Sequence, residues 1–392
     1  MKKNLTLKYC IQQFMFWATN CGVYSFAATF LLTKGFTASN IGLILFAANF
    51  CSFMLQPFVA NYADKHGGNS IRTMMLSLAA ICIMSFATVR FIHVPTIVFA
   101  VVYLIGITTL DMQNPLLNAE NVYFTDRAWT INYGLARAMG AASYAVISLL
   151  MGYVMEDYGA DWMPTLSLLF LCAYIVSTVC FPKDLSKSLR QSGGDTAVPL
   201  KEFFVKYKWY CISLFGVLFL AMFHTMVENY LIEIFGRLGG DSSNVGEALS
   251  IATAIEVPGM LLIPKIHNKL GTHKVLVAAG AFYLLKAVLF LASASVTGIY
   301  VAQLLQLVTY TFLSPVQMYY AKECTNESDM VKGQAVSTAV FSLGSAIGNL
   351  TGGELITALG VPAMLIAGVA IASLGTAFML FAVPKALKNA CA

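Results

Sequence analysis

Eight ionisable side chains interrupt the apolar segments of this chain, and their chemistry is the first feature to explain. They are Asp111, Glu120, Arg137, His224, Glu228, Glu233, Glu256 and Lys286. A charged group in a membrane is costly unless it is paired or hydrated, so it is a functional residue by default. Carboxylates there can bind and release protons, and a nearby cation or amide can bind a polar solute. The set predicts movement of a polar solute coupled to an ion.

Enzymatic chemistry has no support in the sequence. There is no His/Cys cluster, no glycine-rich phosphate loop and no Ser/His/Asp setting, so we predict no catalytic residue, no metal site and no cofactor. The nine cysteines are scattered, and we interpret them as buried apolar thiols.

Helical spacing sorts the ionisable residues by face. Asp111 and Asn118 are seven residues apart and share a face that we assign to an internal cavity. Glu120 lies about 160 to 200° away from both and is left between the cavity and a loop surface. His224 and Glu228 are four residues apart, so they stack on one face and could share a proton.

Two apolar segments carry further polar rows. One row lies within an arc of about 80° on a regular helix and consists of Gln303, Gln306, Tyr310, Ser314 and Gln317. Unsatisfied amides are unfavourable in lipid, so this row is predicted to face water or substrate; a hydrogen-bonded helix interface is the alternative. Asn20 and Tyr24, with Gln12 and Gln13, indicate a similar wet face on the first segment.

A duplication shows how the chain positions these residues. Ser39-Asn40-Ile41-Gly42 returns 204 residues later as Ser243-Asn244-Val245-Gly246, and Lys65-His66-Gly67 returns as Lys269-Leu270-Gly271. The chain is therefore interpreted as two similar membrane halves. Parallel repeats of this kind build transporters whose substrate site lies between the halves at the bilayer midplane.

Composition supports a membrane protein throughout. Hydrophobic residues make up 58% of the chain, charged residues 11%, and mean hydropathy is +0.72, which excludes an ordinary soluble domain. Segments of about 20 apolar residues can cross the hydrocarbon layer, and we predict twelve: Leu7 to Leu32, Ile41 to Ala63, Ile71 to Phe91, Val94 to Leu117, Ile131 to Val154, Met163 to Phe181, Trp209 to Phe235, Val245 to Ile266, Val275 to Leu291, Gly298 to Tyr320, Val336 to Leu355 and Val361 to Val383.

The predicted fold is an all-α membrane protein with twelve transmembrane helices in two pseudo-symmetric six-helix bundles. Residues 1–182 form the first bundle, 183–208 a polar cytoplasmic linker, and 209–392 the second bundle. Lys and Arg concentrate on one side of this topology, so the positive-inside rule predicts cytoplasmic termini in a bacterial-type plasma membrane. The net charge of +5 reflects this orientation and gives no indication of nucleic-acid binding.

Two short motifs resemble a known family. The segment from Ile41-Gly42 through Gln56-Pro57 to Asp64-Lys65-His66-Gly67 is similar to the second span and following loop of lactose permease. Residues 134–140, Gly-Leu-Ala-Arg-Ala-Met-Gly, are similar to its fifth-span motif. The chain thus resembles the oligosaccharide:proton symporters of the major facilitator superfamily, which implies the major facilitator fold.

The resemblance also implies roles for single residues. Arg137 matches the family's sugar-binding arginine, Tyr144 stands where a tryptophan stacks on the sugar, and Asn118 or Glu120 stands near the carboxylate that pairs with the arginine. In the second half, His224 and Glu228 occupy positions where lactose permease has a tyrosine and an aspartate. Glu256 resembles the family's sugar-binding and coupling glutamate, and Lys286 stands where the family has an arginine. The family's lysine, histidine and glutamate of span ten are absent around Leu307, Tyr310 and Leu313.

These observations predict a monomeric, proton-coupled importer of a sugar or glycoside, with Na⁺ as an open alternative to H⁺. The predicted substrate-binding residues are Asn20, Tyr24, Asp111, Asn118, Arg137, Tyr144, His224, Gln303, Gln306 and Tyr310. Glu256 beside Lys286 is the first coupling candidate, followed by Asp111 and Glu228, with Glu120 also considered. Asp64 and Lys65 are predicted to gate the cytoplasmic end, although helix capping by Asp64 is equally consistent.

Three rival functions stay open at this point. An importer of an aromatic acid or a nucleoside shares the scaffold, and Arg137 could bind a carboxylate. A multidrug exporter is consistent with the abundant Phe, Tyr and Met residues, but the span-ten amides argue against it. The third rival is a receptor that no longer transports.

Overall fold

The computed structural model describes residues 5–65, 68–125, 131–182, 200–326 and 329–390. Within these ranges every regular element is helical, and each of the twelve predicted spans is mostly helical. The chain folds into two compact units, one of Met1–Phe36 and Ala47–Gly194, the other of Thr37–Phe46 and Asp195–Ala392. Residues 183–199 of the predicted linker lie outside the described residues.

The first unit is built from helices α1 to α8. Their bounds are α1 Leu5–Asn20, α2 Ala27–Thr33, α3 Ala38–Lys65, α4 Gly68–Phe91, α5 Thr96–Asp111, α6 Gln113–Thr125, α7 Tyr133–Tyr158 and α8 Trp162–Val179, where α3 joins this unit from Ala47 onward. A π-helical turn, Cys21–Ser25, separates α1 from α2, and the first span bends there by 48°. Helix α1 packs between α7 and α8. Gly140 permits this packing, because a Cβ there would overlap the Trp17 ring.

The second unit contains the start of α3 and eight further helices. These are α9 Leu200–Lys206, α10 Lys208–Asn229, α11 Leu231–Arg237, α12 Ser242–Ala292, α13 Val296–Leu304, α14 Tyr310–Cys324, α15 Met330–Leu359 and α16 Val361–Ala390. Helix α10 packs on α15 and α16. The glycine row Gly344, Gly348 and Gly352, spaced by four residues, lies against the α10 backbone and Tyr230, which is the close approach that such spacing favours.

The two copies of the repeated Ser-Asn motif have different surroundings. In the second copy, Asp241 caps α12 by accepting from the backbone N–H groups of Ser243 and Asn244. In the first copy, the Ser39 N–H donates to Oγ1 of Thr357 at 2.8 Å. A Cβ on Gly42 would lie 2.5 Å from the Asn349 carbonyl oxygen, so glycine is required where α3 crosses α15.

Length and composition support a multi-pass membrane protein. Nine helices of the described residues are long and apolar enough to cross a bilayer, or ten if the bent first pair counts as one span. Helix α12 covers two predicted spans. A kink at Gly271, where φ is +77°, separates them. The glycine-rich helix α15, at 30 residues, is long enough to span but is not among the nine.

Candidate substrate and coupling site

A buried cation in the second unit organises the main polar cluster. Lys286 lies on the second half of α12 and is fully buried. Its ammonium donates to Oε1 of Glu228 on α10 at 3.1 Å and to Oε1 of Gln306 at 2.7 Å. Burial of an ion without a partner is strongly unfavourable, so these two contacts fix the lysine in place.

Two amides extend this arrangement into what we call the Lys286 cluster: Lys286, Glu228, Glu256, Gln303 and Gln306. The Nε2 group of Gln306 donates to Oε1 of Glu256 at 2.9 Å, and that of Gln303 reaches Oε2 of Glu228 at 3.4 Å. Glu256, which is 8% exposed, is therefore connected to Lys286 through Gln306. The direct counter-ion of Lys286 is Glu228, a division of roles that the sequence did not predict.

The charges of the Lys286 cluster do not balance. One ammonium faces two carboxylates in a site that is almost closed to solvent. An excess negative charge is unfavourable in such surroundings. Binding of one proton or one monovalent cation removes this excess.

Aromatic rings border the cluster. The rings of His224 and Tyr310 stack with centroids 5.1 Å apart and an interplanar angle of 15°. His224 does not hydrogen-bond to Glu228, and its Nδ1 atom has no partner among the described residues. The buried Oε1 of Gln303 and hydroxyl of Tyr283 likewise have no partner there. Three buried polar atoms thus retain hydrogen-bonding capacity next to a flat aromatic pair.

The predicted polar row on span ten needs a correction. The segment is not one regular helix: α13 ends at Leu304, Leu305–Leu307 form a 3₁₀ turn, and α14 begins at Tyr310. The dihedral angles of Thr309, φ −99° and ψ −87°, interrupt the helix, so an angle of 100° per residue does not hold across it. Gln303 and Gln306 join the Lys286 cluster, whereas Gln317 accepts from Ser337 at 2.7 Å.

A second polar group lies inside the first unit. The π-helical turn places Tyr24 and Ser25 so that Tyr24 donates to Asn49 and Ser25 hydrogen-bonds to Tyr144. Asp111 accepts from Ser52 at 3.3 Å, and Asn20 is partly exposed at the start of the turn. Sequence reasoning missed Asn49 and Ser52. Their signal was available, because polar residues three apart share one face of an otherwise apolar helix.

Arg137 has an aromatic partner that the sequence reasoning also missed. Its guanidinium lies 4.6 Å from the ring centroid of Trp17, and the Tyr144 ring is 6.5 Å from the same indole. Asn118 does not bind Arg137; it hydrogen-bonds to Asn114 and Tyr133. Trp17, one helical turn from Gln13, therefore presents the larger aromatic surface here.

Three expected polar positions lie in helix packing instead of a cavity. Gln12 and Gln13 are buried and hydrogen-bond to Thr178 and Tyr9, respectively, so they do not form the predicted wet face. The sequence did not decide whether Glu120 faces a cavity or a loop surface. In the structure Glu120 is 4% exposed and packed against Gln12. Gln12 bonds to α8 and Gln13 to its own helix, so each amide has a hydrogen-bond partner within the helix packing.

The gating prediction stays open. Asp64 and Lys65 occupy the end of α3, but their side chains, and the following residues 66–67, lie outside the described part of the chain. No group of three or more His, Cys, Asp or Glu side chains able to hold a metal occurs among the described residues.

The chain is similar to several known proteins. Residues 6–365 match the model of the MFS_1 like family. The uncharacterized transporter YwbF of Bacillus subtilis (strain 168) is 22% identical over 323 residues, which cover 80% of this chain and 75% of that protein. The crystal structure of the nucleoside transporter NupG superposes with a TM-score of 0.81 at 14% identity, covering 98% of this chain and 99% of that one.

A D-xylose-proton symporter also superposes, with a TM-score of 0.72 at 13% identity and coverage of 98% of both chains. At these identities, likeness to a solved structure establishes the fold alone.

Proposed function

The chain belongs to the MFS_1 like family and is a major facilitator superfamily transporter, and from this premise we propose that it imports a small neutral sugar or glycoside together with protons. The observation that carries the proposal is the charge imbalance of the Lys286 cluster. One proton per cycle neutralises this site, and release of the proton restores the excess negative charge.

Glu256 is the proton carrier in this proposal. Glu228 accepts directly from the Lys286 ammonium, which favours its ionised form. Glu256 accepts from the neutral amide of Gln306, which is a weaker donor than an ammonium group. The Gln306 amide connects the two sites, so a change in the charge of Glu256 alters the hydrogen bond that Gln306 accepts from Lys286. Asp111 in the first unit, which accepts a hydrogen bond from Ser52, is the second candidate for this role.

Each unit by itself carries side chains suited to a neutral ring solute. The His224–Tyr310 pair of the second unit and Trp17 of the first are flat aromatic surfaces, which suit the CH face of a pyranose. Amide, guanidinium and hydroxyl groups supply donors and acceptors for a hydroxyl rim. In this proposal they are Asn20, Tyr24, Asn118, Arg137, Tyr144, Gln303 and Gln306.

A nucleoside importer is the second candidate, and one observation favours it. A nucleoside is itself a glycoside, and its planar base matches the parallel His224–Tyr310 stack better than a simple sugar does. Arg137 lies over the Trp17 indole, and no carboxylate pairs with it among the described residues, so an aromatic acid is the third candidate solute.

The test is counterflow in proteoliposomes that contain the purified full-length protein. Labelled sugars, nucleosides and aromatic acids are compared, and lumenal pH is then recorded with the solute that exchanges. We expect exchange of a sugar or nucleoside and lumenal acidification when that solute enters. Exchange restricted to an aromatic acid, or to a lipophilic cation, would contradict the proposal, and so would solute entry without any proton movement.

A further inference from the structure

A second buried carboxyl group lies in the first unit, far along the sequence from the Lys286 cluster. Glu120, on α6, is 4% exposed, and Gln12, on α1, is fully buried. The Gln12 side chain is a neighbour of the Glu120 carboxyl. Oε2 of Glu120, Oε1 of Gln12 and the hydroxyl of Tyr174 have no hydrogen-bond partner among the described residues.

The hydrogen bonds around Gln12 fix the orientation of its amide. The Thr178 hydroxyl donates its single proton to the carbonyl oxygen of Tyr174 at 2.9 Å. It can therefore only accept from Gln12, whose Nε2 lies 3.1 Å away. The oxygen Oε1 of Gln12 is left as an acceptor that needs a donor.

An ionised Glu120 would not supply that donor, because a carboxylate only accepts hydrogen bonds. Two acceptors would then stay unsatisfied in a closed space, which is unfavourable. A protonated Glu120 has one O–H group, and donation to Oε1 of Gln12 satisfies both residues at once.

The charged and titratable neighbours of Glu120 agree with a neutral acid. Arg72 on α4 is a cation near Glu120, but its guanidinium donates to the carbonyl oxygens of Val179 at 2.5 Å and Phe181 at 3.3 Å. Among the described residues, Tyr174 on α8 and Tyr9 on α1 are further titratable groups near Glu120. The Tyr9 hydroxyl donates to the Leu117 carbonyl oxygen at 3.0 Å, so it is already engaged.

We propose that Glu120 is a second proton-binding site of this transporter, protonated in this conformation and donating its acid O–H to Oε1 of Gln12. The site is separate from the Lys286 cluster and does not depend on which solute is carried. It gives the protein one proton-binding carboxyl buried in each unit.

Infrared spectroscopy of the full-length protein in lipid nanodiscs tests this directly. We expect a carboxylic acid C=O band at neutral pH that Glu120→Gln removes and Glu256→Gln leaves in place. The glutamine variant should fold, because its amide can donate to Gln12 as the acid does. An identical acid band in wild type and Glu120→Gln would overturn the proposal.

Thr178→Val provides a second, independent variant. Without the threonine hydroxyl, the Gln12 amide is free to turn and donate to Glu120, which favours the ionised carboxyl. We therefore expect the Glu120 band to weaken at neutral pH in this variant, and an unchanged band would contradict the geometry.

Loss of the wild-type band on exchanging K⁺ for Na⁺ at constant pH would identify a sodium site instead and would also overturn the proposal. These infrared measurements do not require transport, so their outcome is independent of the test of the proposed function.

Discussion

At the scale of single residues, the ion pair of Lys286 and Glu228 is decisive because both partners are largely shielded from solvent. The lysine is fully buried, and its carboxylate partner is 13% exposed. Breaking a buried pair leaves an uncompensated charge, whereas removing both charges can be nearly neutral. The pair therefore constrains the fold as well as the charge of the site.

The first prediction follows from this asymmetry. Lys286→Met should destabilise the protein by about 3–5 kcal/mol, and adding Glu228→Gln should recover most of the loss. The thermal midpoint of the purified protein measures both, with Lys265→Met as the control because Lys265 is exposed on the same helix. If the double variant is no more stable than Lys286→Met, the two charges do not form the proposed pair.

A second residue-scale prediction concerns Trp17, whose indole lies under Arg137. Trp17→Leu removes an aromatic face for the solute ring, worth about 0.5–1.5 kcal/mol, so KM should rise by about 2- to 13-fold. Trp17→Phe keeps an aromatic face and should have a smaller effect. Initial rates of uptake with the solute identified by counterflow provide the measurement. Equal KM values for wild type and Trp17→Leu would exclude Trp17 from solute binding.

At the scale of elements, helix spacing depends on residues without side chains. A Cβ on Gly348 would lie 2.5 Å from the Met222 carbonyl oxygen, which is backbone and cannot move aside. We predict that Gly348→Ala lowers stability by about 1–3 kcal/mol, as overpacking does. Gly236→Ala is the matched control: nothing lies within 4 Å of its added Cβ, so it should be neutral or slightly stabilising. Similar thermal midpoints for the two variants would refute the close α10–α15 contact.

The cap of α12 provides a pH-dependent prediction outside the spans. Hydrogen bonds from the Ser243 hydroxyl and from backbone N–H groups lower the pKa of Asp241 below its ordinary value of 3.8. A carboxyl group whose pKa is lower in the folded than in the unfolded protein stabilises the fold at pH values above the unfolded-state pKa. This stabilisation is lost as pH falls through the folded-state pKa. Asp241→Ala should therefore lower stability by about 0.5–2 kcal/mol at neutral pH. The difference in stability from wild type should shrink at pH values below the ordinary pKa of an aspartate. A gap independent of pH would contradict the ionised cap.

The elements also show where sequence reasoning succeeds and fails. Apolar length and the repeated motif predicted helices in all twelve places, because membrane spans must satisfy their backbone internally. Two local irregularities, the π-helical turn at Cys21–Ser25 and the break at residues 305–309, changed which side chains meet. Periodicity assumes a uniform helix, so it could not reveal that Gln306 joins Lys286 to Glu256, nor that Gln12 is enclosed in helix packing.

At the scale of the whole molecule, coupling means that solute flux and proton flux cannot proceed separately. In the proposed mechanism this link resides in the changing charge of Glu256. A glutamine at that position imitates the protonated acid permanently, so it can bind solute without requiring a proton. The variant can then no longer use the proton gradient to drive uptake, although solute can still cross the membrane.

We therefore predict that Glu256→Gln exchanges solute across the proteoliposome membrane at a rate close to that of wild type but does not accumulate it under an inward proton gradient. Exchange should also become independent of pH, since no proton needs to bind or leave at this residue. Glu233→Gln is the matched control, because Glu233 lies on α11 and is not part of the Lys286 cluster; it should accumulate solute as wild type does. If Glu256→Gln still accumulates solute to the wild-type ratio, the coupling proton binds elsewhere, and the charge imbalance beside Lys286 must be neutralised by another ion.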